Sequence, residues 1–426
     1  MNLSLIAQTS LLGCIVVSIF ALYFFVHAKR SDVGIHLFDA YFIGVLIFSI
    51  GVFLAQFYEL NESSLTLFEM TTLLLVVVFL VWFMSLFLSQ NRMQFQHFNI
   101  GTSSNHFFAI FSAVFLVFVN FVFIYLVYTR IIKGHFAGAF VLLDIRKTIA
   151  SGEAGYFYPG LVKQVRDIYG PAFLVWISLF YTGVYRRQVY WVVLITTLLS
   201  MMIGGQRTPI LVLLLSVLLV GFIKNKLQQK KIKISKFLFI VPTALLFLLL
   251  LNILLGRSDQ EQNLFVSIFT LVVSLLGRVF TTVPIENIHA LKFIENINIE
   301  YFSLWMSDLS ILLPGTQTGF SNELHSFLGG SKQGNAVLGY SLDIVVNSGY
   351  PGLVVVPLVT YVALNTIQAS IIRNKNAFSI SIFLIALLYL PFCYSFYHFL
   401  LNGGLLLIAY VIYDILVVRK TNVLEN

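Results

Sequence analysis

The sequence predicts an all-α protein that is embedded in a membrane and crosses it many times. Hydrophobic residues occupy 59% of the 426 positions, charged residues only 10%, and the mean hydropathy is +0.91. This composition is typical of polytopic membrane proteins. The apolar residues also occur in runs of about 20, the length that an α-helix needs to cross a bilayer. We therefore expect a single integral membrane domain over residues 1–426.

Eleven apolar segments are candidates for membrane-spanning helices. The fifth, sixth and seventh are shorter than the ~20 residues that cross about 30 Å of hydrocarbon. The first segment has no basic residue before it and is longer than the apolar core of a signal peptide, so we expect it to be retained. The segments are 3–26, 35–57, 66–89, 106–129, 171–185, 188–204, 208–223, 237–255, 351–371, 377–398 and 403–418.

The basic residues between these segments predict the orientation of the chain. The loop 224–236 has six lysines, and basic residues in short loops stay on the cytoplasmic side. Placing this loop inside also places 15 of the 26 basic residues inside, whereas the short loops 59–65 and 402–404 on the other side have none. The N-terminus is then expected outside and the C-terminus inside.

Two long segments remain on the outer face, 130–170 and 256–349. The second holds eight of the 18 acidic residues of the chain. A membrane anchor has no need of such a segment, so we expect chemistry there. Within it, 263–283 is apolar apart from Arg278, and a span there would invert everything that follows. We therefore predict that the segment contains a re-entrant or surface-lying helix.

Three arginines on this face are candidates for binding phosphate, whose oxygens match a guanidinium fork. Arg207 ends a Gly-Gly-Gln-Arg turn in which Gly205 allows close approach of a ligand. Arg278 lies in an apolar run, where a charge costs about 2.5–3.5 kcal/mol. Arg257 follows the eighth apolar segment. The alternatives are that Arg207 snorkels to lipid headgroups, that Arg257 anchors the interface, and that Arg278 pairs with Glu286.

Four other side chains of the segment 256–349 are candidates for accepting a proton from a hydroxyl group. They are Glu286, Asp308, Glu323 and His325. The sequence does not select one, and each is open to the simpler interpretation of a solvated loop residue. In the first outer segment, Arg146 and Arg166 lie among Tyr and Phe residues, which suits an anionic headgroup or a sugar. An interfacial helix is equally compatible with that composition.

Several absent motifs limit the functions that we consider. The sequence has no GxxxxGK[ST] phosphate loop, no HExxH, no GxSxG and no Asp-x-Asp pair, so we expect neither a metal nor a cofactor. The two cysteines, Cys14 and Cys393, offer no metal site or disulfide framework. The net charge of +8 comes from loops at span ends and does not indicate nucleic acid. The spans contain few ionisable residues, unlike those of ion-coupled transporters.

Residues 190–360 resemble the Wzy polymerases of bacterial O-antigen and enterobacterial common antigen. The resemblance depends on several short motifs that occur in the same order. These are the Gly-Gly-x-Arg turn ending at Arg207, Arg257 after the next span, Arg278 with Glu286 and Asn287, Leu313-Pro314-Gly315, and the Gly-rich stretch near Gly334. The first 190 residues match in hydropathy only.

This resemblance implies a bacterial inner-membrane glycosyltransferase with a GT-C-like fold that needs neither metal nor nucleotide sugar. Such an enzyme transfers a growing glycan from undecaprenyl diphosphate to the sugar hydroxyl of a new lipid-linked repeat unit at the periplasmic face. The implied partners are undecaprenyl-diphosphate-linked oligosaccharide, membrane lipid and a Wzz-type chain-length regulator. With this reaction in view, the expected catalytic residues are Arg207, Arg278, Glu286 and His325. The expected substrate-binding residues are Arg146, Arg166, Gly205, Arg257, Asn287, Asp308 and Glu323.

Two other functions are compatible with a chain of this kind. An O-antigen ligase would use the same lipid-linked donor but transfer the glycan to the lipid A core. A flippase for lipid-linked oligosaccharides would be a transporter with a cationic cavity between two similar halves. The sequence has no evident halves, and its outer segment 256–349 is long, so the polymerase is the function that we expect.

Overall fold

The computed structural model contains α-helices but no β-strand among the residues that it describes. Those residues are 3–29, 34–88, 91–94, 101, 105–129, 165–203, 207–227, 277, 280, 282–294, 301–309, 320–328, 338–374, 376–393, 404 and 408. One isolated β-bridge joins Ile35 and Met93. This part of the chain therefore has the all-α architecture that the sequence predicts.

Thirteen α-helices occur in the described residues, and we number them in chain order. They are α1 Leu3–Lys29, α2 Leu37–Ala55, α3 Glu62–Leu88, α4 His106–Val127, α5 Gly170–Leu179, α6 Arg186–Ile203, α7 Arg207–Leu227, α8 Val283–Ile294, α9 Ser303–Leu309, α10 Phe320–Phe327, α11 Tyr340–Ser348, α12 Gly352–Asn374 and α13 Ala377–Tyr389. A π-helical turn, Val165–Tyr169, leads into α5, and a 3-10 turn, Leu390–Phe392, follows α13.

Five of these helices, α1 to α4 and α12, are long and apolar enough to cross a membrane. Shorter apolar stretches lie in α7, at Pro209–Asn225, and in α13 with its 3-10 turn, at Ala377–Phe392. Large apolar side chains cover the outward face of α4, where Phe111 and Phe118 are exposed. Exposed apolar surface of this extent suits lipid rather than water. The helices thus have the properties of a membrane-embedded protein.

Most of the predicted spans coincide with helices, but the fifth is displaced. The prediction was 171–185, whereas the chain becomes helical at Val165 and leaves the helix at Phe180. Pro171 lies in the first turn of α5. Proline is favoured there because a backbone N–H at that position has no partner within the helix, so its absence costs nothing. The predicted spans 237–255 and 403–418 lie outside the described residues, apart from 404 and 408.

The helix α2 lies at the centre of one group of helices. It packs against α1, α3, α8 and α12, and side chains on all its faces are buried, including those of Phe38, Phe42 and Val45. An apolar surface all round is expected of a helix that is surrounded by other helices. A second group consists of α4, α5, α6 and α7. The helix α13 packs against both α2 and α5 and so joins the two groups.

A buried ion pair lies at one end of the first group, which we call the Arg92 end. The Arg92 guanidinium donates to the Asp39 carboxylate twice, from Nη1 to Oδ2 at 3.1 Å and from Nη2 to Oδ1 at 3.2 Å. Trp82 Nε1 donates to Asp39 Oδ1 at 3.0 Å, and Arg92 Nη1 also donates to the Gly34 carbonyl at 2.8 Å. The two buried charges therefore compensate each other, as a buried pair requires.

Gln368 of α12 joins the chain segments at the same end. Its Oε1 accepts the Leu37 N–H at 2.8 Å, and its Nε2 donates to the carbonyls of Ile35 at 2.9 Å and Asn91 at 2.5 Å. The α1–α2 connection, the residues after α3 and the end of α12 thus meet. The charge pattern of the sequence assigns these same connections to one side of the membrane.

The opposite end of the group, which we call the Glu59 end, includes part of the long segment 256–349. Glu59 follows α2, and its Oε1 lies 3.4 Å from His289 Nε2 of α8. Beside it, Gln56 Nε2 donates to the Ser64 carbonyl at 2.8 Å and thereby holds the α2–α3 turn. The helix α8 therefore lies beside the turn that the charge pattern assigns to the outer side.

The helix α11 enters the interior of the bundle, although it belongs to the segment 256–349. The Tyr340 ring lies 5.7 Å from the ring of Tyr41 and 6.0 Å from that of Phe48, both on α2. A Cβ atom added to Gly44 would overlap the Tyr340 hydroxyl, and it would lie 3.2 Å from Pro391 in the 3-10 turn. The start of α11 and the end of α13 therefore meet at the middle of α2. This arrangement is compatible with a re-entrant helix. Of the segment 263–283, for which such a helix was predicted, the structure describes only residues 277, 280, 282 and 283.

Candidate functional site

The first element of the candidate site is the link between α8 and α11. Asn287 is buried on α8, and its Oδ1 accepts the Gly339 N–H at 2.6 Å while its Nδ2 donates to the Val283 carbonyl at 2.8 Å. A Cβ atom at position 339 would overlap the Phe48 ring. The absent side chain of Gly339 therefore allows α11 to begin against α2, and Asn287 fixes the position of that start.

The helix α11 buries three polar side chains on its way through the bundle. Ser341 Oγ lies 2.7 Å from Thr71 Oγ1 of α3, so these two hydroxyls share a hydrogen bond. Asp343 and Asn347 are also buried, and Asn347 Nδ2 donates to the Asp343 carbonyl at 2.8 Å, one helical turn back. Buried polar groups of this kind must be hydrogen-bonded, because an unpaired one costs about 1–3 kcal/mol.

Trp305 of α9 completes this arrangement from the direction of the Glu59 end. Its Nε1 lies 3.2 Å from each oxygen of the Asp343 carboxylate, and its backbone N–H donates to Asn347 Oδ1 at 3.1 Å. The preceding Phe302 donates its N–H to the Asn347 carbonyl at 2.9 Å and has a φ of +63°. A positive φ at a bulky residue costs about 1–3 kcal/mol and persists only where the surrounding contacts enforce it.

A second polar cluster lies between α4, α6 and the π-helical turn before α5. Arg166 is buried, and its Nε donates to Asp167 Oδ1 at 2.7 Å. Its guanidinium lies 4.8 Å from the centre of the Phe123 ring, and its Nη1 lies 3.5 Å from the Ser200 carbonyl. Sequence analysis predicted that Arg166 binds substrate, but the structure buries it in an ion pair with its neighbour.

Three buried oxygens in this cluster have no hydrogen-bond partner. They are Asn120 Oδ1, Asp167 Oδ2 and Ser200 Oγ. Asn120 Nδ2 donates to Thr197 Oγ1 at 3.2 Å, so α4 and α6 are joined one turn below Ser200. An ion pair inside apolar helices is costly and usually functional. Ser200 lies in the last turn of α6, so this cluster holds the end of that helix against α4.

The structure describes four of the predicted site residues with their side chains. Glu286 is half-buried in the first turn of α8 and lies next to Asn287 in the chain, which is fully buried. Glu323 is exposed on the short helix α10. Arg166 belongs to the separate cluster beside α4. Of these four residues, Glu286 and Asn287 share one helix.

The remaining predicted residues cannot be assigned contacts. Arg207 is the first residue of α7, Asp308 lies in α9 and His325 lies in α10, but their side chains are outside the described part of the structure. Arg146, Gly205, Arg257 and Arg278 lie entirely outside it. For these seven residues the sequence-based roles stay predictions.

Sequence reasoning overlooked the polar residues of α11. Asp343 and Asn347 are four residues apart, so they lie on one face of a helix. That spacing inside an otherwise apolar run is the signal that could have drawn attention to them. The indole of Trp305 is 38 residues away in the chain, and its hydrogen bond to Asp343 could not be predicted from a local pattern.

An apolar groove runs along the surface between α4 and α6. Its volume is about 710 Å³, and Val114, Phe118, Phe121, Val189 and Val192 are among the residues that line it. Tyr185 and Gln188 also line it, but the surface of the groove is almost wholly apolar and suits an acyl chain. In the described residues, no three His, Cys, Asp or Glu side chains come together in a way that could hold a metal ion.

No protein-family model, curated protein or solved structure matches this chain. Its function must therefore be inferred from its residues and from the contacts just described. Among those contacts, the polar residues that α8 and α11 bring into the apolar bundle are the most unusual for a membrane protein. They belong to the same long segment that contains most of the sequence-predicted site residues.

Proposed function

We propose that this chain is a membrane glycosyltransferase that polymerises polyprenyl-diphosphate-linked oligosaccharide repeat units. In this reaction the hydroxyl oxygen of the acceptor sugar forms a bond to the anomeric carbon of the donor glycan. The bond from that carbon to the diphosphate oxygen breaks, and polyprenyl diphosphate leaves with the electron pair. The hydroxyl proton passes to a carboxylate or imidazole of the protein. The proposed setting is the outer face of a bacterial inner membrane.

One structural observation supports this proposal above the others. The segment 256–349 does not lie apart from the helices, because α11 packs against α3 and α12 and buries Asp343 and Asn347. An enzyme that acts on a lipid-linked sugar needs polar groups at the depth where the lipid carrier meets its glycan. The re-entrant course of α11 meets that requirement, and the motifs at Arg207, Arg257 and Arg278 add the resemblance to the polymerases.

The proposed roles follow from the charge that develops during the reaction. A diphosphate leaving group gains negative charge as the anomeric bond breaks, and preorganised guanidinium groups stabilise such charge strongly. Arg207 and Arg278 are the proposed phosphate-binding residues, with Arg257 as a third. Glu286, half-buried at the start of α8, is the proposed base, with His325 as the alternative. Asn287 acts through the position of Gly339 rather than on the substrate.

The experiment that tests this function is a reconstitution in lipid. Purified protein is mixed with lipid-linked repeat units isolated from its host, without nucleotide or metal, and the glycan products are separated by length. We expect a ladder of lengths from the wild-type protein. Arg278→Ala should abolish the ladder, and Arg278→Lys should restore little of it, because an ammonium group does not reproduce the bidentate fork.

Arg187→Ala is the matched control for the loss of an arginine, since Arg187 is exposed at the start of α6 and has no proposed role. It should leave the ladder unchanged. Unreacted single repeats from a folded wild-type protein would overturn the polymerase. Transfer of the glycan to added lipid A core would instead identify a ligase, and movement of the lipid-linked unit across the bilayer without reaction would identify a flippase.

A further inference from the structure

A group of exposed aromatic side chains surrounds the start of α9 and the end of α11. Tyr301, Phe302 and Tyr350 are 70%, 53% and 57% exposed, and the Phe302 ring lies 5.7 Å from the ring of Trp305. We call these four residues the aromatic platform. The Tyr301 ring lies against Gly349, where an added Cβ atom would be 3.4 Å from Tyr301 Cε1. The Tyr301 ring is therefore packed against the backbone at Gly349, next to Tyr350 in the chain.

The base of the platform is polar and buried. Trp305 is held by its Nε1 against the Asp343 carboxylate and by its backbone N–H against Asn347 Oδ1. Phe302 is held by its N–H against the Asn347 carbonyl. Both aromatic residues thus depend on one turn of α11, and the rings keep fixed positions instead of moving with a loose loop.

The backbone of Phe302 distinguishes this surface from an ordinary aromatic belt. Rings that only anchor a protein at the membrane interface need no unusual backbone conformation. Phe302 instead has a φ of +63°, which a side chain of its size rarely adopts. Such strain is concentrated at ligand-binding positions, where surrounding contacts hold a side chain in the orientation that the ligand needs.

We propose that the aromatic platform binds the glycan part of the substrate by stacking sugar rings on Tyr301, Phe302 and Tyr350. The apolar C–H face of a pyranose ring packs against an aromatic face, and the Tyr hydroxyls can bond sugar hydroxyls at the edge. The platform deepens the proposed function, on which it rests, by assigning where the oligosaccharide lies. Stacking of this kind favours an uncharged sugar face, so binding of the oligosaccharide to the platform does not require the phosphate.

The test is direct binding, measured without polymerisation. The full-length protein in lipid nanodiscs is titrated with the lipid-free oligosaccharide released from the host's lipid-linked repeat units, and calorimetry gives the dissociation constant. Tyr301→Ala removes one stacked ring and should weaken binding by about ten-fold. Phe302→Gly should weaken it similarly while the unfolding midpoint stays the same or rises, because glycine adopts a positive φ without strain.

Tyr58→Ala is the matched control. Tyr58 is a tyrosine of the same exposure, 70%, and it lies outside the platform, at the Glu59 end. The proposal requires that this variant bind the oligosaccharide like the wild type. If Tyr58→Ala and Tyr301→Ala change only stability, and to the same extent, the rings are membrane anchors and the proposal is overturned.

The two experiments can overturn the platform proposal and the polymerase proposal independently of each other. Oligosaccharide binding that depends on Tyr301 and Phe302, combined with no ladder in the reconstitution, would keep the platform and overturn the polymerase. A ladder combined with unchanged binding in both variants would overturn the platform and keep the polymerase. A wild-type protein that binds no oligosaccharide at all would also overturn the platform.

Discussion

His36 is a buried residue at the Arg92 end that caps the start of α2. Its Nδ1 accepts the Phe38 N–H at 3.0 Å as the cap of α2, and its Nε2 lies 3.3 Å from Asn365 Oδ1. Burial lowers the pKa of His36 and outweighs Asp39 and the Asn365 hydrogen bond, which raise it, while Arg92 lowers it further. The neutral ring is therefore the folded form, since a proton on Nδ1 would displace the Phe38 N–H.

We expect this residue to make the stability of the protein pH-dependent. The unfolded chain takes up a proton near pH ~6.5 that the folded protein binds only at lower pH, so stability falls as the pH decreases below ~6.5 and is constant above it. Thermal unfolding in nanodiscs between about pH 7.5 and 5 measures the effect. His36→Gln, which cannot titrate, should show a flatter profile. Identical slopes for both proteins would show that another group is responsible.

The Asp39–Arg92 pair gives a second prediction for individual residues. Removing one partner leaves a buried charge unpaired, so Asp39→Ala or Arg92→Ala should each destabilise the protein by about 3–5 kcal/mol. The double variant Asp39→Leu/Arg92→Met replaces both charges by apolar groups and should cost far less than the sum. Unfolding midpoints of the three variants measure this coupling. Losses that simply add would mean that the two residues stabilise the protein independently.

The sequence identified polar and charged residues of interest, but it could not show which groups their side chains contact in the folded protein. Asn287 was predicted to bind substrate, yet both ends of its amide are used within the protein, by Gly339 and Val283. Gly339 is 52 residues away, and no local pattern encodes such a contact. Arg166 was likewise predicted to bind substrate, and the structure pairs its buried guanidinium with the adjacent Asp167.

The packing of α11 leads to the most specific prediction for a helix, because Gly44 and Gly339 allow α11 to approach α2. An added Cβ atom at Gly44 would overlap the Tyr340 hydroxyl and one at Gly339 would overlap the Phe48 ring. Gly44→Ala and Gly339→Ala should each destabilise the protein by about 1–3 kcal/mol through overpacking. Gly221→Ala on α7 is the control, because nothing lies within 4 Å of its added Cβ atom. Equal midpoints for all three variants would contradict the packing of α11 against α2.

The positions of the long helices were predictable from hydropathy, whereas those of the short helices were not. A run of about 20 apolar residues can cross a membrane only as a helix, because its backbone must be hydrogen-bonded within the lipid. Hence α1 to α4 and α12 lie where the sequence predicts them. The nine residues of α11 are too few for that criterion, and only the packing of α11 against α3 and α12, with the contacts of Tyr340 to α2, reveals their depth. The fifth segment begins earlier than predicted because the helical stretch includes Arg166 and Asp167, whose charges hydropathy excludes from a span.

For the whole molecule, the orientation in the membrane is the prediction to test first. With Cys14 and Cys393 replaced by Ala, the chain has no other cysteine, so single cysteines can be introduced. Tyr58→Cys lies at the Glu59 end and should react with a membrane-impermeant maleimide in intact cells. Tyr185→Cys, also exposed, precedes α6 and should react only after permeabilisation. Labelling of Tyr185→Cys in intact cells would invert the predicted orientation.

The meeting of α11 with the end of α13 at the middle of α2 has a consequence for biosynthesis. A helix of nine residues spans only about 14 Å, so α11 cannot enter the bilayer by its own hydrophobicity. The ribosome completes α11 before α12 and α13, yet Tyr340 packs beside Leu390 and Pro391 of the later segment. The long segment must therefore wait outside the lipid until α12 and α13 have been made, and Tyr340 can take its place in the interior only after Leu390 and Pro391 have left the ribosome.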